Sequence, residues 1–217
     1  MRMNGQHAGA IDQDALKTGD YQRCVDFHGH DCPGLAIGYR AAKAALNFLQ
    51  EGHAADEELV AIVETDACGA DAVQVLTGCT FGKGNFLYRD YGKNVYTLLD
   101  RRSGRGVRVV LKQGSMEWGE RQRDLIEKMR QDTATPEERR EFWENHRRKS
   151  LEILAKPLDG LFRVTAVRPA LPPKARMEPA RICASCGEPT MGSKLVEYQG
   201  REICRDCREK AQQTSAR

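Results

Sequence analysis

Apolar residues recur with the period of an α-helix in the first fifty residues. A regular stripe begins after Pro33 and predicts a helix that ends near Gly52. Its apolar members are Leu35, Tyr39, Ala42, Leu46 and Leu49. Proline favours the first turn of a helix, so Cys32 or Asp31 is expected near the N-cap. Sparser apolar positions predict an earlier helix over Asp14–Phe27.

The middle of the chain has the pattern of β-strands. A continuous apolar run at Leu59–Glu64 is typical of a central strand. Three further runs, Phe86–Arg89, Asn94–Leu99 and Val107–Lys112, are separated by glycine-containing turns and predict an antiparallel meander. The run Leu161–Val167 is expected to form the last strand of this part of the chain.

Three more helices are predicted around these strands. A short helix should follow the first strand, with Asp71 as its N-cap. Two highly charged helices follow the meander, and the second begins with a capping box at Thr135. The buried edge of this second helix is expected to contain Phe142, Trp143 and Leu151.

This order of elements predicts an α+β fold, in which a mixed or antiparallel sheet is flanked by helices and followed by a small treble-clef zinc finger. The predicted divisions are a flexible tail over residues 1–13, a core domain over 14–168, a proline-rich linker over 169–179 and the finger over 180–213.

Four cysteines near the C-terminus have the spacing of a structural zinc site. Cys183 and Cys186 form one CxxC pair, Cys204 and Cys207 form another, and 17 residues separate the pairs. Two residues between thiols allow both sulfurs to face one point, which suits tetrahedral Zn²⁺. A hairpin is predicted between the pairs, and the second pair begins a helix. The pattern therefore predicts a closed Cys₄ zinc finger.

Composition and charge narrow the classes of partner. Residues 1–100 contain 8 Lys or Arg and 14 Asp or Glu, a net charge of −6, which argues against nucleic acid. The finger with Zn²⁺ carries about −1, so a protein contact or a brace between two copies of the chain is favoured. The longest uncharged stretch, 72–82, is too short to span a membrane. With no signal peptide evident and eight cysteines, the chain is predicted to be cytoplasmic.

Three clusters of reactive residues lie at the predicted ends of helices and strands. Their members are His28, His30, Asp31 and Cys32; Asp66, Cys68 and Asp71; and Cys79, Lys83 and Asn85. The end of a central strand and the starts of flanking helices commonly converge in an α+β fold. Cys68 is therefore expected near the loop that carries the first cluster. Imidazole and thiolate ligands together suit Zn²⁺ or another late first-row metal.

Simpler structural interpretations apply to some of these residues. A buried cysteine is more often a small apolar filler than a ligand, and Cys24 is interpreted in this way. For Cys79 the filler and the reactive interpretations are balanced. His7 and His53 are expected to be solvent-exposed. The HxHxC motif at residues 28–32 is harder to explain by structure alone and favours a ligand or catalytic role.

Three motifs, in order, strongly resemble the E-subunit family of formylmethanofuran dehydrogenase: HGHDCPGLAIGYR at 28–40, CGADAVQ at 68–74 and TGCTFGKGN at 77–85. The resemblance covers roughly residues 15–168, and the finger resembles the treble-clef extension of some members. The resemblance implies an α+β core, a homodimer, and a cleft lined by the His and Cys residues that can hold a metal. The family name implies association with a molybdenum or tungsten enzyme that fixes CO₂ as a formyl group.

The resulting hypothesis is a metal-binding protein with a His/Cys-lined cleft. It would act as an accessory or catalytic unit in one-carbon or molybdo-enzyme metabolism, associated with an oxidoreductase. In addition to the zinc of the finger, a second transition metal is a candidate cofactor for the core. The candidate ligands of this second metal are His28, His30, Cys32 and Cys68.

Other roles are assigned to the remaining candidates. Cys68, His30 and Cys79 are candidates for catalysis, while Lys83 and Asn85 would shape a substrate or anion pocket. One alternative function is a partner-binding assembly or regulatory module that works through its zinc finger. Another is thiol redox chemistry by the cysteines of the three clusters. Neither nucleic acid nor a membrane is an expected partner.

Overall fold

The computed structural model describes residues 19–215, apart from the side chain of Ser215. Contacts divide the chain into two compact units, Met1–Lys174 and Ala175–Arg217. The tail expected over residues 1–13, the helix start expected at Asp14, and His7 lie outside the described residues.

Helices and strands of the N-terminal unit follow the predicted order. The helices are α1 Asp20–His28, α2 Pro33–Leu49, α3 Gly69–Thr77, α4 Glu120–Arg130, α5 Pro136–Ala155 and the short α6 Leu158–Leu161. The strands are β1 Leu59–Val63, β2 Phe86–Tyr88, β3 Val95–Asp100, β4 Gly106–Leu111 and β5 Phe162–Val167. The described helices contain no segment that is both long and apolar enough to cross a membrane.

One sheet of five strands, in the order β2-β1-β3-β4-β5, forms the centre of this unit. β1 pairs antiparallel with β3, and β3, β4 and β5 continue as antiparallel neighbours. β2 pairs parallel with β1, with Phe86 opposite Ala61. The fold is therefore α+β with a mixed sheet and flanking helices, as the sequence predicts.

The predicted meander is wrong in one strand pairing. β2 does not join β3 but lies on the far side of β1, at the edge of the sheet. The physical reason is the segment between β1 and β2, which contains α3 and the loop 78–85. A connection of this length carries the chain back to the start of the sheet and allows parallel pairing, whereas a tight hairpin does not.

The helix α2 is the central helix of the unit and is buried along most of its length. It contacts α3, α5 and the strands β3 and β4. Arg40 is buried in this helix and donates hydrogen bonds to the carbonyl oxygens of Ile153 and Leu154. Because these carbonyls lie near the end of α5, the guanidinium fastens α5 to α2.

A close crossing of α2 and α3 positions the functional residues. A Cβ atom added to Gly38 would lie 2.1 Å from the backbone oxygen of Gly69, which is far inside contact distance. The two helices therefore approach backbone to backbone, and only glycine fits at position 38. This approach brings the start of α3 against the first turns of α2.

The helical pair α4–α5 partly differs from the prediction. The capping box at Thr135 is present, since Glu138 N donates to its hydroxyl and Thr135 N donates to Glu138. The predicted buried edge is wrong: Trp143 is 50% exposed and Leu151 is also exposed. The buried residues of this helix are Ser150, Ile153 and Leu154, because only its second half packs on the core.

The C-terminal unit contains two short hairpins and a helix. β6 Ala180–Ile182 pairs with β7 Pro189–Met191, and β8 Leu195–Tyr198 pairs with β9 Arg201–Cys204. The helix α7 covers Arg205–Ser215. The predicted hairpin with its turn at residues 199–200, followed by a helix that carries Cys207, is thus observed.

Candidate metal centre

The turn between α1 and α2 holds the HxHxC motif. His28 is the last residue of α1, and Gly29 reverses the chain with φ at 92°. Cys32 is the N-cap of α2, where its sulfur accepts a hydrogen bond from the Leu35 amide at 3.4 Å. Proline at position 33 begins the helix, as predicted. The motif is therefore fixed at both ends by regular helices.

Three side chains of this turn are close enough to share one ion. His28, His30 and Cys32 each offer one ligand atom, and these atoms lie within 4.8 Å of one another. His28 Nε2 and Cys32 Sγ are 3.9 Å apart, and the two imidazole rings are separated by 4.5 Å between centroids. Cys32 is buried while His30 is exposed, so the cluster lies at the surface and is open on one side.

Cys68 reaches the same place from the start of α3, where it is the N-cap residue. It hydrogen-bonds with Cys32 and with His28. Gly34 explains the approach: a Cβ built there would lie 3.5 Å from Cys68 Sγ and 4.0 Å from Cys32 Sγ. The glycine therefore leaves room for both sulfurs. The structure thus brings Cys68 beside the loop that carries the other three candidate ligands.

Asp71 has a different role from the one that the sequence predicts. The expected N-cap of α3 is Asp71, but Cys68 holds that position and Asp71 lies in the first turn. Its Oδ2 is 2.7 Å from Nδ1 of His28. The available signal is the spacing, because a residue three positions after Cys68 lies on the same face of the helix.

The electrostatics of the cluster favour a thiolate on Cys68. Hydrogen bonding with Cys32, outweighing burial, and the neighbouring His28 lower the pKa of Cys68 to about 5. Hydrogen bonding with Cys68 and burial raise the pKa of Cys32. Burial alone would lower the pKa of His28, but the bond with Asp71 and the charge of Cys68 outweigh burial and raise it. Charge is thus concentrated on the pair formed by His28 and Cys68.

Aromatic rings continue outward from the cluster onto α5. His30 and Trp143 have ring centroids 6.1 Å apart in an edge-to-face arrangement. Phe142 and His146 stack behind Trp143, with 4.0 Å between their centroids, and Trp118 lies 5.0 Å from His146. Trp143 therefore forms an aromatic wall beside the open side of the cluster.

The third predicted cluster is divided by the structure. Cys79 is buried in the hydrophobic core, and burial raises its pKa. Asn85 is 0% exposed, and its side chain bonds only to the backbone: it donates to Asp56 O and Leu59 O and accepts from Thr80 N. Lys83, by contrast, lines a surface cavity of about 600 Å³. His28, His30, Cys32 and Cys68 do not line this cavity.

The four cysteines of the C-terminal unit converge as their spacing predicts. Their sulfurs lie within 4.8 Å of one another, the members being Cys183, Cys186, Cys204 and Cys207. Backbone N–H groups of Cys186 and Cys204 lower the pKa of Cys183 to about 6. Sulfur-only ligation of this kind, held at the start of a helix and a hairpin, is the donor set of structural zinc. The unit is a zinc finger.

Family models match both parts of the chain. Residues 27–163 match the family described as FmdE, molybdenum formylmethanofuran dehydrogenase operon. Residues 178–213 match the prokaryotic dksA/traR C4-type zinc finger. The second match coincides with the four-cysteine cluster of the C-terminal unit.

Individual proteins show the same relationship. A probable S-adenosyl-L-methionine-binding protein from Archaeoglobus fulgidus is 33% identical over 185 residues, 81% of this chain and 50% of that protein. The chain thus spans about half the length of this curated relative. An FmdE-like protein of the tungsten formylmethanofuran dehydrogenase type, from Syntrophus aciditrophicus, has the same fold, with a TM-score of 0.60 and 24% identity, over 95% of this chain and 98% of that one. The chain belongs to the FmdE family and carries a C4-type zinc finger at its C-terminus.

Proposed function

We propose that the N-terminal unit binds a transition metal through His28, His30, Cys32 and Cys68, and that this centre serves one-carbon or molybdo-enzyme metabolism. The pair formed by His28 and Asp71 carries the proposal. The carboxylate 2.7 Å from Nδ1 favours the ring proton there and leaves Nε2 free toward Cys32 Sγ, 3.9 Å away. Metal-binding histidines typically hold their second nitrogen by a carboxylate in this way.

The donor set supports a metal rather than a purely structural cluster. Two imidazoles and two sulfurs suit Zn²⁺ and other late first-row metals. The low pKa of Cys68 supplies a thiolate near neutral pH. A metal held here would polarise an oxygen or sulfur atom of a bound substrate. His30 is the exposed member, so the approach of a substrate would come from its side.

The metabolic part of the proposal rests on the family. The family description names the operon of molybdenum formylmethanofuran dehydrogenase, an enzyme whose name denotes formyl-group chemistry. We therefore propose that this chain works beside a molybdenum or tungsten enzyme as an accessory or catalytic unit. A homodimer in the cytoplasm is the expected form of the protein.

Metal counting on the purified protein tests the core centre. Wild-type protein is expected to contain two metal ions per chain, one in the finger and one in the core. Cys68→Ala should lose the core ion and keep the finger zinc. Cys24→Ala is the matched control, because Cys24 is a buried thiol outside the cluster and should leave both ions in place. An unchanged count in Cys68→Ala would remove Cys68 from the ligand set, and a wild-type count of one would end the proposal.

Tryptophan fluorescence gives an independent readout. The chain has two tryptophans, and Trp143 is the one in ring contact with His30. Addition of Co²⁺ to protein with a metal-stripped core should quench Trp118→Phe protein, which keeps Trp143, more strongly than Trp143→Phe protein. Equal quenching in the two variants would mean that the ion binds elsewhere.

A second candidate function is partner binding through the finger. Ile182 and Met191 are exposed apolar side chains on β6 and β7. The register pairs Ala180 with Met191 and Ile182 with Pro189, so both side chains lie on one face of the hairpin. An apolar face on a small zinc-stabilised unit suits a protein partner. If this face binds the molybdenum or tungsten enzyme, Ile182→Ser with Met191→Ser should abolish co-purification without changing the metal count.

A further inference from the structure

A cavity of about 600 Å³ lies beside α1, α3 and the loop 78–85. Its wall contains charged, polar, aliphatic and aromatic side chains. Among the lining residues are Arg23, Asp26, Phe27, Val75, Phe81 and Lys83. A volume of this size matches the range of small-molecule sites, about 300–1,000 Å³. It is therefore large enough for an organic ligand of several rings.

Two phenylalanine rings at this cavity are unusually exposed. Phe27, from the end of α1, is 60% exposed, and Phe81, from the loop, is 79% exposed. An exposed aromatic ring gives up the free energy that its burial would contribute, about 1.5–3 kcal/mol. Two such rings on one cavity favour a ligand that covers them. Val75 adds an aliphatic surface from α3.

The loop that presents Phe81 and Lys83 is held in a fixed conformation. Asn85 anchors its end, and the Thr80 amide donates to Asn85 Oδ1 at 3.0 Å. The Phe81 amide donates to Gln74 Oε1 on α3 at 3.2 Å. The Lys83 amide donates to the Thr80 hydroxyl at 3.3 Å. Ring and ammonium are therefore presented by a preorganised loop, which lowers the entropy cost of binding.

The charges of the cavity favour an anion. Arg23 and Lys83 supply two cations against the single carboxylate of Asp26. Gln22 already hydrogen-bonds to that carboxylate at 2.8 Å. Arg23 forms an exposed pair with Asp20 at 3.6 Å, a contact weak enough to be given up for a ligand. Lys83 donates to the Asp56 carbonyl and has no carboxylate partner within ion-pair distance among the described residues.

We propose that this cavity is a second binding site, for a flat aromatic anion such as an aromatic carboxylate, sulfonate or phosphate. The ring lies against Phe27 and Phe81, and the anionic group meets Arg23 and Lys83. The site is separate from the candidate metal centre, but the two share α1 and α3. Phe27 directly precedes His28, and Gln74 lies about one helical turn after Asp71. A ligand bound here would therefore sit next to the metal-binding residues.

A fluorescent aromatic sulfonate tests the site in the full-length, zinc-loaded protein. 8-Anilinonaphthalene-1-sulfonate should bind in a saturable way with one molecule per chain. Phe81→Ala and Lys83→Gln should each weaken its affinity by about 3- to 10-fold. The matched controls, Phe48→Ala and Lys93→Gln, change an exposed ring and an exposed lysine outside the cavity and should leave the affinity unchanged. Circular dichroism confirms that each variant is folded.

Displacement separates the two halves of the ligand. 2-Naphthalenesulfonate, which has both ring and charge, should displace the probe at least about tenfold better than neutral 2-naphthol or ring-free methanesulfonate. Cys68→Ala protein should bind the probe as tightly as wild type, so a failed metal centre and a failed cavity are distinguishable. Absence of saturable binding, or wild-type affinity in both Phe81→Ala and Lys83→Gln, would overturn the proposal. So would conversion of a dimer to a monomer by Phe81→Ala with probe binding unchanged.

Discussion

At the scale of single residues, the most informative side chain is Asp71. The sequence indicates His28, His30, Cys32 and Cys68 because imidazoles and thiols at the ends of elements are unusual, and the structure brings these four together. For Asp71 the sequence predicts a helix cap, since aspartate is common there. Its contact with His28 joins two helices through residues 43 positions apart in the chain, and no local pattern reveals such a contact.

Asp71→Asn should weaken metal binding at the core centre by about 10- to 100-fold, because the amide holds the His28 ring less firmly and lowers its basicity. Competition titration with a chromophoric chelator measures the effect. Asp66→Asn is the control, since Asp66 is an exposed carboxylate just before Cys68. Equal affinities in the two variants would show that Asp71 does not position the imidazole.

At the scale of elements, the helices and strands are predictable from the sequence, but their partners are less so. The positions of α2, β1 and β3–β5 follow from apolar periodicity and turn residues, which are local properties. The pairing of β2 with β1 does not, because strand neighbours are chosen by the whole sheet. The burial of α5 escapes prediction for a related reason: the half of the helix that packs on α2 is decided by tertiary contacts.

Gly38→Ala should be strongly destabilising, by about 3 kcal/mol, because the new methyl group would meet the backbone of α3 and push the two helices apart. The built Cβ lies 2.1 Å from Gly69 O. Urea unfolding followed by circular dichroism measures the loss. Gly52→Ala, where no atom lies within 4 Å of the new carbon, should change stability by no more than about 0.5 kcal/mol. A small effect at position 38 would mean that the crossing is loose.

His146 should make the α4–α5 pair sensitive to acid. Burial lowers its pKa, and the charge of His30 acts in the same direction against the bond to the Phe142 carbonyl. The unfolded chain then binds more protons below its ordinary pKa of about 6.5, so stability is present above that pH and lost as pH falls through the folded value.

Replacement of His146 by glutamine removes this dependence. Between about pH 7 and pH 5, the free energy of unfolding of His146→Gln should fall less than that of wild type. Comparing the two proteins cancels the opposite contribution of His28, whose pKa is raised. Parallel pH profiles would contradict the assignment.

At the scale of the whole molecule, the chain combines a unit with a large apolar core and a unit that depends on metal. Among the described residues after Lys174, the buried hydrophobic residues are Cys183 and Ile203. So small a core cannot fold a unit of this size without a further source of stability. Cysteine spacing alone is enough to predict this, because ligand geometry is local in sequence.

Cys204→Ser should unfold the finger and leave the N-terminal unit intact, because structural zinc supplies the folding energy of such units. Limited trypsin digestion should cut rapidly at Arg201 and Arg205 in the variant and slowly in wild type, with a stable N-terminal fragment in both. Mass spectrometry locates the cuts. The Cys24→Ala variant keeps all four finger cysteines and should digest like wild type.

The backbone contact between α2 and α3 has a consequence for attempts to build such centres elsewhere. Gly34 and Gly38 leave the space that Cys68 and Gly69 occupy. Transplanting only the two histidines and two cysteines onto an ordinary helix pair, spaced about 8–10 Å apart by its side chains, would hold the sulfurs too far from one another. A designer would have to copy the two empty positions before copying any ligand.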